Sequence, residues 1–252
     1  MGVGRRETGV VLLLLAMLLG RAPAEVPRGW RELAPGLHYR AVGKANEEMH
    51  QVRLDPTRYK LGLLTSKKGS LPLADLVAGT KTLVAVNGGY FGRGGEPLGY
   101  QRDGSRVLVA SIASGGAFTG VFYVDKSGPH VVLREDFQPG KESLAIQCGP
   151  RLVADGQAVT GYAPNEPRRR TGVGVDDDGR IILFATAMAG NMTLEQCQKL
   201  LLSHPDKGGV RPRAVLNLDG GSSTQMVINT RSLKLNLLGY TGVPVGLAAY
   251  SR

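Results

Sequence analysis

The segment Ala214-Val215-Leu216-Asn217-Leu218-Asp219-Gly220-Gly221-Ser222-Ser223-Thr224-Gln225-Met226 has the residue types of a reactive site. An apolar run ends in an amide and a carboxylate, two glycines break it, and three hydroxyl side chains follow. The run 214–218 reads as a buried strand, so Asp219 falls where the strand stops. Glycines there admit a ligand close to the backbone, and the N–H groups and hydroxyls after them can face an anion. The same letters also describe an Asp-Gly turn with serines capping the next element. Two other strand ends are built alike: Asn87-Gly88-Gly89 after 83–86, and Arg170-Thr171 ahead of Gly172-Val173-Gly174. Brought to one face, the three ends supply a guanidinium for an anion, amides for orientation and one carboxylate for reaction.

Other chemistries lack their residues. There is no Walker-type phosphate loop, no Gly-x-Ser-x-Gly elbow and no His-Glu-x-x-His zinc pair. Gly92-Arg93-Gly94-Gly95 is not followed by Lys-Ser/Thr and reads as a surface loop. Asp176-Asp177-Asp178-Gly179 reads as a hairpin turn, because its spacing fails the twelve-residue calcium loop. No cofactor is implied, although a structural divalent metal stays open. His38, His50, His130 and His204 show no pairing with either cysteine that would make a thiol nucleophile.

The elements that must position these residues are mostly strands. Alternating or continuous apolar runs over 49–54, 59–64, 83–86, 107–112, 117–124, 130–133, 143–147, 171–175, 181–185, 227–238 and 246–250 read as strands separated by Gly, Asp or Pro turns. Residues 72–78 read as a short helix. The best helix covers 193–202, where Asn191 or Thr193 caps and Leu194, Cys197, Leu200 and Leu201 share a face. Strand, helix, strand over 181–218 suggests one crossover in an otherwise antiparallel sheet. The expected fold is α+β and strand-rich: a mostly antiparallel twisted sheet with a few packed helices, in a single domain over residues 25–252.

Residues 1–24 read as a secretory signal: Arg5 and Arg6 open it, Val10 to Leu19 is apolar, and Ala22-Pro23-Ala24 is a small-residue cleavage pattern. That apolar run is shorter than the roughly 17–25 residues a spanning helix needs, so no transmembrane segment is expected in the mature chain, which would be secreted or periplasmic. Without 1–24 the chain keeps 28 basic and 20 acidic side chains, a net +8. A basic surface favours anionic partners such as phosphorylated glycans or envelope polysaccharides. Aromatic residues are only 6% and do not interleave with the basic ones, which argues against nucleic acid. The concentrated part of the charge is Arg168-Arg169-Arg170. In an oxidising compartment Cys148 and Cys197 either pair as a disulfide or stay as separate buried thiols.

Taken in order, several segments together resemble the phosphodiester glycosidase family. They are Val84-Ala85-Val86-Asn87-Gly88-Gly89-Tyr90-Phe91, Pro97-Leu98-Gly99, Gln147-Cys148-Gly149-Pro150-Arg151-Leu152-Val153, Arg170-Thr171-Gly172-Val173-Gly174-Val175-Asp176, Met192-Thr193-Leu194 and Leu216-Asn217-Leu218-Asp219-Gly220-Gly221-Ser222-Ser223. The chain departs from the family pattern at Ser222, where a third glycine is usual, and at Gly172, where alanine is common. The resemblance implies a hydrolase that cleaves a sugar C1–O–phosphate bond. It makes Asp219 the nucleophile or general base and Arg170 the phosphate holder. Asn87 and Ser223 would orient sugar or phosphate oxygens, with Gly88, Gly89, Thr171, Asn217, Gly220, Gly221 and Ser222 completing the substrate contacts. Most glycosidases need two carboxylates, one to protonate a poor leaving group. A phosphate leaves as an anion, so one carboxylate suffices. The rival is a non-catalytic module that binds anionic glycans during exopolysaccharide assembly or export.

Overall fold

The computed structural model describes residues 29–43, 47–161, 163 and 165–252; the expected signal over 1–24 lies outside them. Three antiparallel sheets make up the body, with strands numbered along the chain. The eight-stranded sheet runs β1 (Arg31–Ala34), β2 (Leu37–Val42), β3 (Met49–Leu54), β14 (Ile181–Thr186), β13 (Thr171–Asp176), β15 (Pro212–Asn217), β11 (Arg151–Ala154), β12 (Gln157–Ala158). A second sheet runs β7 (Arg106–Val109), β6 (Gln101–Asp103), β10 (Leu144–Cys148), β8 (Gly120–Asp125), β9 (Gly128–Leu133). The third runs β17 (Lys234–Leu237), β16 (Met226–Asn229), β5 (Val84–Asn87), β18 (Val245–Ser251), β4 (Tyr59–Thr65).

The large sheet is buried on both faces, which explains why β13 and β14 are apolar without alternation. Val173, Val175, Leu183 and Leu216 point to a shared core with Phe122 and Ile146 of the second sheet and Val86, Met226 and Leu247 of the third. Ile182, Phe184 and Val215 point the other way, onto α2 (Leu194–Leu202), which contributes Leu194, Cys197 and Leu201. Thr193 caps that helix in a capping box: its hydroxyl accepts from the Gln196 N–H, and the Gln196 side chain accepts from the Thr193 N–H. The shorter α1 (Leu73–Val77) covers the outer face of the third sheet at Ala85, Val227 and Ala248.

Some sequence expectations change. Both thiols are free, and a disulfide between Cys148 and Cys197 is not made. Cys148 belongs to the core on one face of the large sheet and Cys197 to the helix on the other, so the sheet stands between them. The crossover from β14 through α2 to β15 does occur, but the two strands are not neighbours: β13 lies between them, antiparallel to both. The single strand expected over 227–238 is a hairpin. The Thr230 hydroxyl accepts the Leu233 N–H in its turn, and β16 then pairs with β17. Residues 31–42 form the β1–β2 hairpin.

Candidate active site

The three polar strand ends meet. Gly172 of β13 faces Asn217 of β15 in register, and the Asp219 N–H donates to the Gly88 carbonyl at 3.2 Å, joining the end of β5 to the end of β15. Asn87 ties the junction. Its side chain is fully buried. Nδ2 donates to the Asp219 carbonyl at 2.7 Å, while Oδ1 accepts from the Thr171 hydroxyl at 2.7 Å and the Gln225 N–H at 3.0 Å. A longer 3.4 Å contact from Nδ2 to the Gly88 carbonyl takes up its other donor. Asn87 and Thr171 thus spend their polar groups on each other and on backbone, behind the site.

Asn217 works in the same way, with Nδ2 donating to the carbonyls of Gly149 (2.9 Å) and Leu218 (2.7 Å). Its Oδ1 is buried without a partner. The glycines divide by role. A Cβ on Gly88 would lie 2.9 Å from the Val245 carbonyl, one on Gly89 3.2 Å from the Gln147 carbonyl, and one on Gly220 2.7 Å from the Arg169 carbonyl, so these three let backbones touch. Gly221, with φ +61°, has open space at its Cβ position and is the glycine that faces outward. Gly172 has its own cause: a methyl there would sit 2.3 Å from the Phe184 ring, which occupies the room alanine would need.

Asp219 is half-buried at the end of this junction. Its Oδ1 accepts the Gly220 N–H at 2.9 Å, and the Ser223 hydroxyl is near enough to favour the charged carboxylate. Burial raises its pKa above the ordinary carboxyl value and outweighs both. Tyr90, not singled out from the sequence, stands beside it. The phenol donates to the Gly149 carbonyl at 2.5 Å and packs edge-on against Phe118. Burial holds it protonated, with the Asp219 charge adding to that effect and the Arg170 charge opposing it. Both charges therefore act on one phenol. Cys148, also close to Asp219, is pushed up to about 12 by burial and is no nucleophile.

Arg170 is placed differently from the expectation. Nε donates to the Met192 carbonyl at 2.8 Å, and Nη2 to Asn165 Oδ1 at 3.0 Å and the Glu166 carbonyl at 2.9 Å. The edge of the fork that grips an oxyanion is thereby spent on the Met192 carbonyl ahead of α2 and on the 165–166 loop, and Nη1 alone remains. Asp176 stands at the far end of β13, about 17 Å along the strand from Thr171. It is fully buried, 2.9 Å from Arg53 Nε in an ion pair, and its Oδ1 accepts the Asp178 and Arg180 N–H groups. It is a turn and core residue, not a second carboxylate of the site.

Elsewhere, a groove of about 610 Å³ beside the β8–β9 hairpin contains none of the candidate residues. Ser127, His130 and Asp125 meet there, but the Ser127 hydroxyl and the Asp125 carboxylate both contact His130 Nε2, so no proton relay can run through the ring. Among the described residues no cluster of three or more His, Cys, Asp or Glu is placed to hold a metal.

The phosphodiester glycosidase family model matches residues 80–248. Among solved structures, the catalytic domain of zebrafish N-acetylglucosamine-1-phosphodiester alpha-N-acetylglucosaminidase, auto-inhibited by its pro-peptide, is similar at 20% identity and a TM-score of 0.64, over 88% of this chain and 86% of that one. A hypothetical protein from Synechocystis is similar at 16% identity and TM-score 0.58, over 86% of this chain and 62% of that one. A protein of Burkholderia pseudomallei described as exported is similar at 13% identity and TM-score 0.55, over 85% and 74%. At these identities the likeness speaks for the fold. A comparison with curated protein sequences gives no match.

Proposed function

The chain belongs to the phosphodiester glycosidase family, and from that premise we propose that it hydrolyses a sugar-1-phosphodiester, with Asp219 as the catalytic carboxylate. Water's oxygen becomes bonded to the sugar C1, the C1–O(phosphate) bond breaks, and its electron pair leaves with the phosphate. Asp219 either takes the proton of the attacking water or attacks C1 itself and is then released by water. Its counterpart in most glycosidases, the acid that protonates the departing oxygen, is not required. A phosphate monoester has a second pKa of about 6 and departs as an anion. Burial of Asp219 makes it a stronger base than an exposed aspartate, as this role asks.

The observation that carries the reading is the Asp219 carboxylate itself. It is half-buried, its charge is met by a Gly220 N–H, with the Ser223 hydroxyl nearby, rather than by a cation, and it is held where three strand ends are tied by Asn87. Gly221, Ser222, Ser223 and Tyr90 are the groups beside it that substrate would meet. Asn87, Thr171, Asn217, Gly88, Gly89 and Gly220 position that surface from behind. Arg170 anchors the 165–166 loop, and its positive charge acts on Tyr90.

The reading extends to location and substrate. Residues 1–24 would be removed as a secretory signal, and residues 25–252 would form one domain acting outside the cytoplasm on a phosphorylated glycan or envelope polysaccharide. Among the described residues no helix is long and apolar enough to cross a membrane. The test is incubation of residues 25–252 with a sugar-1-phosphodiester chromogen. Free sugar and a phosphomonoester are expected, and intact substrate after prolonged incubation with folded protein would contradict the reading.

A further inference from the structure

The residue next to Arg170 has the vacancy that Arg170 lacks. Arg169 is 3% exposed. Nη1 donates to the Leu238 carbonyl at 2.8 Å, while Nε and Nη2 are buried with no hydrogen-bond partner among the described residues. Its pKa is lowered by burial, and no carboxylate acts on it. A buried guanidinium with two unmet N–H groups and no counter-ion is costly, and such groups in a native fold call for a ligand, water or ion. The two unmet nitrogens are not scattered. Nε and Nη2 form one edge of the planar fork, the edge that presents two parallel N–H donors to an oxyanion.

Location gives this edge its meaning. The Arg169 carbonyl accepts the Gly221 N–H at 2.7 Å, and Gly220 packs on the same carbonyl, so Arg169 lies against the loop that begins at Asp219. Two other buried groups without a partner among the described residues flank that loop, Asn217 Oδ1 at the end of β15 and Thr224 Oγ1 after Ser223. The guanidinium is covered by the 238–241 segment, where the Tyr240 ring centroid is 5.8 Å from the Arg169 Cζ. That cover is slight: Tyr240 is 69% exposed, and the segment is latched by Tyr240 and Thr241 N–H groups donating to the Ser222 carbonyl and by Gln225 Nε2 donating to the Thr241 carbonyl.

We propose that Arg169 is the phosphate-binding cation of this chain, gripping two oxygens of a phosphoryl group through Nε and Nη2 when Tyr240 swings aside. This rests on the reading of the Asp219 cleft as a phosphodiester site, and it moves the phosphate contact from the expected Arg170 to its neighbour. Consecutive residues on an extended chain face opposite ways, which is why the Arg170 guanidinium enters the 165–166 loop while that of Arg169 lies under the 238–241 segment, whose Tyr240 N–H is bonded to Ser222.

The experiment measures binding of inorganic phosphate at constant ionic strength, by calorimetry and by the shift in Tm, for wild type, R169M, R169K, R170A and D219N. Expected are at least tenfold weaker phosphate binding in R169M, an intermediate value in R169K because an ammonium cannot present the paired edge, and binding no weaker than wild type in D219N, where a negative charge in the same cleft is removed. Without phosphate, R169M should be no less stable than wild type, since an unmet buried charge is removed. Should R169M fail to fold, R169K decides. Wild-type phosphate affinity in R169K or R169M, or loss of binding in R170A with R169M unaffected, would overturn the assignment. Sugar release by wild type together with unaltered phosphate affinity in R169M would end the Arg169 assignment alone. Lost phosphate binding in R169M with no sugar release by wild type would keep the anion site and end the glycosidase reading.

Discussion

Replacing Asn87 by alanine separates a residue that holds the site from one that touches substrate. The substitution removes three hydrogen bonds, to the Asp219 carbonyl, the Thr171 hydroxyl and the Gln225 N–H, all at a fully buried position. Each partner left unsatisfied costs about 1–3 kcal/mol. A water in the vacated volume would recover part of this, so the low end of the sum of about 3–9 kcal/mol applies, about 3–5 kcal/mol. For a chain of this size each kcal/mol lowers Tm by about 2–4 °C, which gives a drop of roughly 6–20 °C. The assay is thermal and urea unfolding of N87A beside wild type, with chromogen kinetics at a temperature where both remain folded. Activity should fall mainly through kcat, because the Asp219 backbone is no longer pinned. A loss of stability below about 1 kcal/mol accompanied by a raised KM alone would refute the reasoning and put Asn87 in contact with substrate.

Further expectations follow from the same contacts. R170A frees the Met192, Asn165 and Glu166 acceptors and should destabilise by about 2–4 kcal/mol, with R170K failing to rescue, as unfolding curves would show. D176N leaves Arg53 buried without its counter-charge and should cost about 3–5 kcal/mol while the KM of the folded fraction is unchanged. Reductant should leave Tm unaltered, and both thiols should resist modification until the chain unfolds, because Cys148 and Cys197 are unpaired and buried. D219N should be more stable than wild type at neutral pH. The carboxyl pKa is raised on folding, so its ionisation opposes folding as pH climbs through the folded value, and the difference in Tm should vanish below the ordinary value of 3.8.

Much of this was legible in the chain because local patterns and tertiary packing agree. The helix over 193–202 was visible from its cap and its 3.6-residue apolar face, and α2 has both. The strand ending at Asn217 was visible because an apolar run met Asp219 and two glycines. What a sequence withholds is which way a side chain turns and what it meets there. Asn87 has the chemistry of a sugar ligand, yet its amide is consumed by Thr171, Gln225 and Asp219, partners far away in sequence. Arg170 sits in the family motif while its neighbour has the vacant edge, a distinction of strand facing. Tyr90 carried no signal beyond its motif, since its importance comes from its burial and from the Asp219 and Arg170 charges that act on it. The cysteines could not be assigned because nothing local says that a whole sheet separates them.

The most direct measurement is hydrolysis of a sugar-1-phosphodiester in ¹⁸O-labelled water by wild type and by D219N, both verified as folded. The label should enter the sugar at C1 and be absent from the phosphate, and D219N should turn over at least about 10²-fold more slowly with phosphate affinity no weaker than wild type. Label in the phosphate, or near-normal turnover by folded D219N, would contradict the account.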